Sequence, residues 1–439
     1  VATLGNGGNL SNQASGRLNI SSGGTISNYT SGKFENAGTV NNNGAVSNQG
    51  DITNTSASIW NNSATLTNAS KATITNAGRL DNTGTVLNQA GGSIANNGTF
   101  NNNYSPSTGG AFLTNEGLFT NNAALLNVGK IENKNDFTNS SSGTITNNGR
   151  ITNTSGTFTN AGVLNNTGAG GSMQNDSTVI NKGAFNNAGP LTNNGALQNS
   201  GTLNNTGTLN NTTTGSISNQ HALSNSGTLI SDGSVTNNGQ FNNTGWVSIN
   251  STGAVSGTGS YTQQASGVPN STSVTTVTGS AWTQSLTDIQ SGVFIGTSLT
   301  VNGAVRNQGV IEAKGNGIVF TGTVSGQGDY KGIIQFDGTF KPGNSPAAIT
   351  GERFIFGSNS ELDIELGGTT AATQYDVLYA NYIDLAGTLS LSLIDLGNGV
   401  FNPHAGDTFD ILQAWDITGD FSSFLLTQLD PGLYWTHAI

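Results

Sequence analysis

Between Leu10 and Asn243 an apolar side chain recurs about every six residues, followed two positions later by an asparagine and often, two further on, by a glycine. The purest run is Leu191, Leu197, Leu203 and Leu209, shadowed by Asn193, Asn199, Asn205 and Asn211. In a strand, residues two apart share a face, so each aliphatic and its asparagine point the same way. Six residues accommodate one strand of about three residues and a bend, and three such sides close a triangular coil. Some sides are eight residues long, as from Asn68 to Asn76, and carry an extra Gly/Ser pair. The pattern predicts an all-β parallel β-helix (a β-solenoid) with turns of about 18–20 residues, since self-similarity at a short fixed period marks a solenoid. With turns stacked at about 4.8 Å, some 240 residues would give about twelve turns and a rod on the order of 60 Å long.

A buried amide is costly unless it is hydrogen-bonded. In a stack of like turns each asparagine lies over another and can pass its bonds along, so internal asparagine ladders are expected. The alternative places asparagine outside as a turn former. Glycines such as Gly44, Gly84, Gly149 and Gly207 fall where a corner is expected to need positive φ. Left-handed hexapeptide coils share the six-residue period but carry Gly or a small polar residue directly after the aliphatic one. Here that slot holds Thr, Asn, Ser or Glu, which favours a right-handed coil.

The pattern changes along the chain. Past residue 250 the asparagines thin out, and from 354 the strands lengthen and alternate, as in Leu362, Ile364, Leu366 and Leu389, Leu391, Leu393. Charge shifts with it. Residues 1–268 carry eight acidic and eight basic side chains, whereas 269–439 carry sixteen and five, the whole of the net −11. Two regions are expected: an Asn/Gly-rich β-helix over 1–268 and an acidic, less regular β-helical module with longer strands over 269–439. Phe421, Phe424, Leu425, Tyr434 and Trp435 would cover the end of a coil, as repeat proteins require.

Charged residues are only 8% of the chain, yet the strict apolar period excludes disorder. No basic stripe exists to offset phosphate charge, so nucleic acid is not an expected partner. No apolar run is long enough to span a bilayer, so no membrane insertion is expected. Cysteine is absent, which removes disulfides and thiolate chemistry. The first residue is Val1, which fits a mature product after removal of a secretion signal and equally a fragment of a longer chain.

Little else suggests chemistry. The acids of the repeat are scattered; Glu132 and Asp136 lie near Lys130 and Lys134 and read as a solvated salt-bridge patch. His221, His404 and His437 have no second histidine at ligand spacing. No catalytic residues, metal ligands or cofactors are expected. One exception is a weak Ca2+ site among Asp395, Asn398, Asp407 and Asp410, to be weighed against ordinary turn-capping acids.

FKPGNSPAAITG (340–351) resembles the "PGNSPG" phrase of secreted bacterial β-helical proteins, both autotransporter-passenger adhesins and exosortase-sorted surface proteins with a PEP-type anchor. ELDIELGG (361–368), YDVLYA (375–380), LAGTLSLSLI (385–394) and GDTFDIL (406–412) follow in the same order. The Asn-rich front resembles haemagglutinin-like adhesins in style. The resemblance implies a parallel β-helix acting outside the cell or at its surface. It departs from both families at Ile439, after which neither a membrane barrel nor a Pro-Glu-Pro anchor follows.

The leading expectation is therefore a non-enzymatic, secreted structural protein: a subunit of an extracellular (biofilm-matrix) fibre that assembles with copies of itself head-to-tail. Candidate assembly residues are Val1, Ala2, Thr3 and Leu4 in a segment (1–9) suited to adding a strand to a neighbour, with Tyr434 and Trp435 at the other end. The alternative is a monomeric rod-like adhesin or glycan-binding stalk, with the insert at 101–112, Trp60 and Trp246 as candidate contacts.

Overall fold

A computed structural model describes residues 2–439 except 105–109, 169, 267–270, 280 and 344–345. It is all-β, without a helix, and its strands pair in parallel from coil to coil. The chain divides into two compact units, Val1–Leu229 and Ile230–Ile439.

The first unit contains thirty-three strands of four residues, from Thr3–Asn6 to Ala222–Asn225, three to a coil, hence eleven coils. Each strand is one residue longer than expected because the asparagine occupies its fourth position. The corner then needs only two residues. Positions two and four face inward and one and three outward, as in Thr39–Asn42 and Ser172–Asn175. Pairing joins every third strand in unbroken register, so Thr25–Asn28 meets Ala45–Asn48 residue for residue. Eight-residue sides differ only at the corner. The segment around 103–111 lengthens one coil, so that Asn88 and Asn115 are twenty-seven residues apart where Asn36 and Asn54 are eighteen.

Asparagine lies inside, which rules out its role as an external turn former: from Asn28 onward the ladder asparagines of this unit are buried. Three ladders run through the unit. In the purest stretch Asn175 Nδ2 donates to Asn193 Oδ1 at 2.7 Å, and Asn193 to Asn211 at 2.8 Å. On the next face Asn181 donates to Asn199 at 2.7 Å, and on the third Asn187 donates to Asn205 at 2.7 Å. The second amide proton is shared with backbone carbonyls; Asn193 reaches Gly195 O at 3.0 Å and Ser216 O at 3.0 Å. Each buried amide is thus satisfied by its own corner and the coil ahead, which removes the penalty of burying it. Leu191, Leu197, Leu203 and Leu209 form the apolar counterpart, all buried. Where phenylalanine takes that slot the rings stack too: Phe119, Phe137 and Phe158 lie 4.6 and 4.9 Å apart, nearly parallel.

The corner glycines are needed for a different reason than expected. Gly44, Gly84, Gly149 and Gly207 are not among the residues with positive φ, and no asparagine is either among the described residues. A Cβ on Gly44, Gly84 or Gly149 would instead sit 2.2 Å from a backbone carbonyl oxygen of the coil below. Adjacent corners approach so closely that only a hydrogen fits. The asparagine side chain shapes the bend, as when Gly84 N–H donates to Asn82 Oδ1 at 3.2 Å.

The second unit begins with the same phrase and then abandons it. Asn237 Nδ2 donates to Gln284 Oε1 at 2.7 Å. Next to it a buried cluster of Tyr261, Gln263 and Thr275 replaces the ladder, with Thr275 Oγ1 donating to Gln263 Oε1 at 2.6 Å and Tyr261 bonded to Thr275. Strands lengthen to fifteen residues in Val293–Asn307 and eleven in Val310–Phe320. The core becomes aromatic. Tyr261, Trp282 and Phe294 meet edge to face at 5.0 and 5.3 Å, and Phe336 stacks on Phe340 at 4.2 Å. The expected longer strands are present: Leu362, Ile364 and Leu366 register with Leu389, Leu391 and Leu393.

The phrases that carry the family resemblance converge on one buried carboxylate. Asp376, in YDVLYA, accepts N–H of Ala347 at 2.7 Å through Oδ1 and N–H of Glu365 at 2.9 Å through Oδ2. It thereby ties the PGNSP corner to ELDIELGG. Asn344 and Ser345 of that corner lie outside the described residues. Past Leu426 the C-terminal segment folds back. Trp435 Nε1 donates to Thr427 O at 2.9 Å, and His437 packs on Phe424 with Nε2 3.1 Å from Asp420. Phe421 is buried, whereas Leu425 and Tyr434 stay exposed.

Candidate functional site

The sequence-derived candidates fall into three groups. The ladder residues are structural and interior. Of the assembly residues, Val1 lies outside the described residues, while Ala2, Thr3 and Leu4 are exposed. Leu4 keeps 44% of its surface although the register places it over Ile26, which is buried. Leu10 and Leu18 are likewise only half-buried in strands Asn9–Asn12 and Arg17–Ile20. Among the described residues, the three strands of this first coil pair on one side only. Every ladder link described runs from the earlier asparagine's Nδ2 to the later one's Oδ1. The open side of the coil therefore presents leucine side chains and amide carbonyl oxygens. At the other end Tyr434 is 82% exposed, whereas Trp435 is engaged by Thr427 and by Phe409 at 6.0 Å.

Trp60 is not a surface contact. It is buried against Phe34 at 5.2 Å because it fills the inward aliphatic position of Ile59–Asn62. Trp246, in the outward first position of Trp246–Ile249, is exposed. Of the insert, 105–109 lies outside the described residues; Tyr104 is exposed and Ala111 buried.

The acids singled out for calcium serve their own loops. Asp395 Oδ1 accepts the N–H of Gly397 at 2.6 Å and of Gly399 at 2.9 Å, and Asp407 Oδ2 accepts that of His404 at 2.7 Å. No group of three or more His, Cys, Asp or Glu placed to hold a metal occurs among the described residues.

The salt-bridge patch is only partly as expected. Lys134 reaches Glu116 at 3.3 Å and Glu132 at 3.6 Å; the Glu116 hydrogen bond, ahead of the Glu132 charge, holds its ammonium above the usual lysine value. Lys130 takes no part. Its ammonium lies over the ring of Phe112 at 5.1 Å. Phe112, Lys130 and Arg150 occupy the same outward position on three successive rungs of one face. Beside them Thr114, Glu132 and Thr152 fill the other outward position, and together they line an open groove of about 240 Å³. Arg150 is oriented by Thr152 Oγ1 at 3.1 Å and Gln174 Oε1 at 2.8 Å. The sequence holds one signal for this groove: among the outward positions of the thirty-three strands, Phe112 is the one aromatic residue.

The fold and its interior define the class: an asparagine-ladder parallel β-solenoid. No protein-family model and no characterised protein matches the chain.

Proposed function

We propose that the protein is a secreted structural protein, a subunit of an extracellular fibre that assembles head-to-tail through its terminal coils, and that it is not an enzyme. The observation that supports this reading is the repetition itself: neighbouring coils pair residue for residue through one register and one set of asparagine ladders. A coil edge of one copy therefore offers the strands, apolar positions and amides that a coil of another copy would pair with, and a parallel strand edge with an apolar inner face templates further strands unless covered. Unlike surfaces meeting in this way propagate as filaments when the contact does not close. Electron microscopy and sedimentation of the full chain test the proposal. Filaments that lengthen with concentration, and that Leu4→Asp with Leu10→Asp abolishes, are expected; monomers throughout would overturn it.

A second reading, a rod-like surface adhesin that binds glycans, is supported by the groove at Phe112, where an exposed aromatic ring lies beside two basic side chains that have no carboxylate at ion-pair distance among the described residues. Binding of the protein to any member of a glycan array tests it, and silence across the array overturns it.

A further inference from the structure

We infer that the groove along Phe112, Lys130 and Arg150 is a binding site for an extended carboxylated polysaccharide lying parallel to the coil axis. The inference deepens the adhesin reading and is independent of fibre assembly.

Three observations carry it. First, Lys130 and Arg150, like several other basic side chains such as Lys33 and Lys182, have no carboxylate at ion-pair distance among the described residues, and here two such groups are neighbours. On this face they are also the two basic residues in outward strand positions, on adjacent rungs and in direct register. Two like charges placed side by side repel unless an anion lies between or over them. The hydrogen bonds that Arg150 donates to Thr152 Oγ1 and Gln174 Oε1 orient its fork, and neither acceptor is charged.

Second, Phe112 is exposed to 38% and its ring is flanked by Lys130. With Lys130 over one face of the ring, the remaining exposed surface of Phe112 sets an apolar group beside a charge, the combination that meets a pyranose ring carrying a carboxylate. Thr114 and Thr152 run alongside as hydroxyl partners for sugar hydroxyls, while the Gln174 amide is held between Arg150 and Asp176.

Third, the spacing is periodic. Successive rungs lie about 4.8 Å apart, comparable to the advance of one sugar along an extended chain. Phe112, Lys130 and Arg150 would thus each face one residue of the polymer. Glu132 is the group that opposes an anion here, and Lys134 at 3.6 Å offsets it. An acidic peptide would satisfy the two cations but gain nothing from the aromatic platform or the rung period.

The test is calorimetric titration of the full-length protein with oligogalacturonate, with neutral maltooligosaccharide and poly-glutamate as comparison probes. Oligogalacturonate is expected to bind, more weakly as salt rises, and neither comparison probe to match it. Lys130→Gln with Arg150→Gln lowers the association constant about tenfold, Phe112→Ala about fivefold, and Glu132→Gln raises it. Lys71→Gln, on a corner away from the groove, changes nothing. These side chains face outward, so an unaltered circular-dichroism melt shows the variants fold. The inference is overturned by no oligogalacturonate binding, by equal binding of poly-glutamate, or by groove variants that bind as the parent does. Array binding that survives the groove variants would overturn the site while leaving the adhesin reading intact.

Discussion

From the second coil of Val1–Leu229 onward, half of what the strands of each coil turn inward is amide, three asparagines to three apolar side chains, whereas the inward residues of Ile230–Ile439 are mostly aliphatic and aromatic. Both build parallel coils. The first does so by repetition: each ladder amide finds its partner one coil ahead, so one six-residue phrase suffices and strands stay at four residues. The second has no such self-satisfying unit. It fills its interior with rings of different shapes, and shape-specific packing requires a different residue at each position. A ladder is therefore cheap in sequence information but unforgiving, because each amide depends on two others.

The comparison is broken most forcefully inside a ladder. Asn199 accepts from Asn181 at 2.7 Å and donates to Asn219 at 2.7 Å and to Ala222 O at 2.8 Å. Asn199→Leu keeps the volume but leaves the Asn181 donor and the Asn219 acceptor buried without their partners, at a cost of about 4 kcal/mol. Ile364→Val in the second unit removes one methylene from an apolar core and costs about 1 kcal/mol. Hydrogen-exchange protection of Thr178–Asn181 and Ser216–Asn219 reads the first effect. Protection in the variant equal to that of the parent would mean the ladder contributes nothing.

The corners separate the units next. Gly149 is confined by the Gly129 carbonyl oxygen, 2.2 Å from where a Cβ would stand, whereas Gly399 has positive φ and open space around it. Gly149→Ala and Gly149→Asn are both expected to cost about 3 kcal/mol, since overpacking against backbone has no rotamer escape. Gly399→Asn is expected to cost well under 1 kcal/mol, because asparagine tolerates left-handed angles. Thermal melts of the three variants decide it. If Gly149→Asn were tolerated and Gly149→Ala not, backbone angle rather than close approach would govern the ladder corners.

This contrast also sets how much was legible in the sequence. The period exposed the coil and the inward asparagines, because each follows from two-residue alternation. It misread the glycines, since a single coil's φ preference is local whereas the constraint at Gly149 comes from residue 129 of the coil below. Trp60 was mistaken for a surface contact for a related reason: its inward position is fixed by Asn62 two residues on, a cue that outweighs the usual exposure of tryptophan. The groove was nearly invisible. Phe112, Lys130 and Arg150 are far apart in sequence, and only the register across an irregular coil aligns them. The Tyr261–Gln263–Thr275 cluster followed no repeated phrase and left no periodic signal.

That cluster supplies the gentlest way to tell the units apart. Burial pushes the phenols of Tyr261 and Tyr330 above the usual tyrosine value, while Tyr29 and Tyr104 of the first unit are exposed. An unfolded phenol ionises near pH ~10. Because the folded value is the higher one, the stability that comes from keeping each phenol neutral is complete below that pH. It is lost as pH rises above it, at about 1.4 kcal/mol per pH unit for each group. The second unit is therefore expected to open first in alkali, seen as proteolytic cleavage within Ile230–Ile439 while Val1–Leu229 stays intact. Tyr261→Phe is the sharper arm: Thr275 and Gln263 still bond each other without the phenol, so the variant should fold and its stability should fall less steeply with pH. An unchanged alkaline slope in that variant would show that the buried phenol does not set the difference between the two interiors.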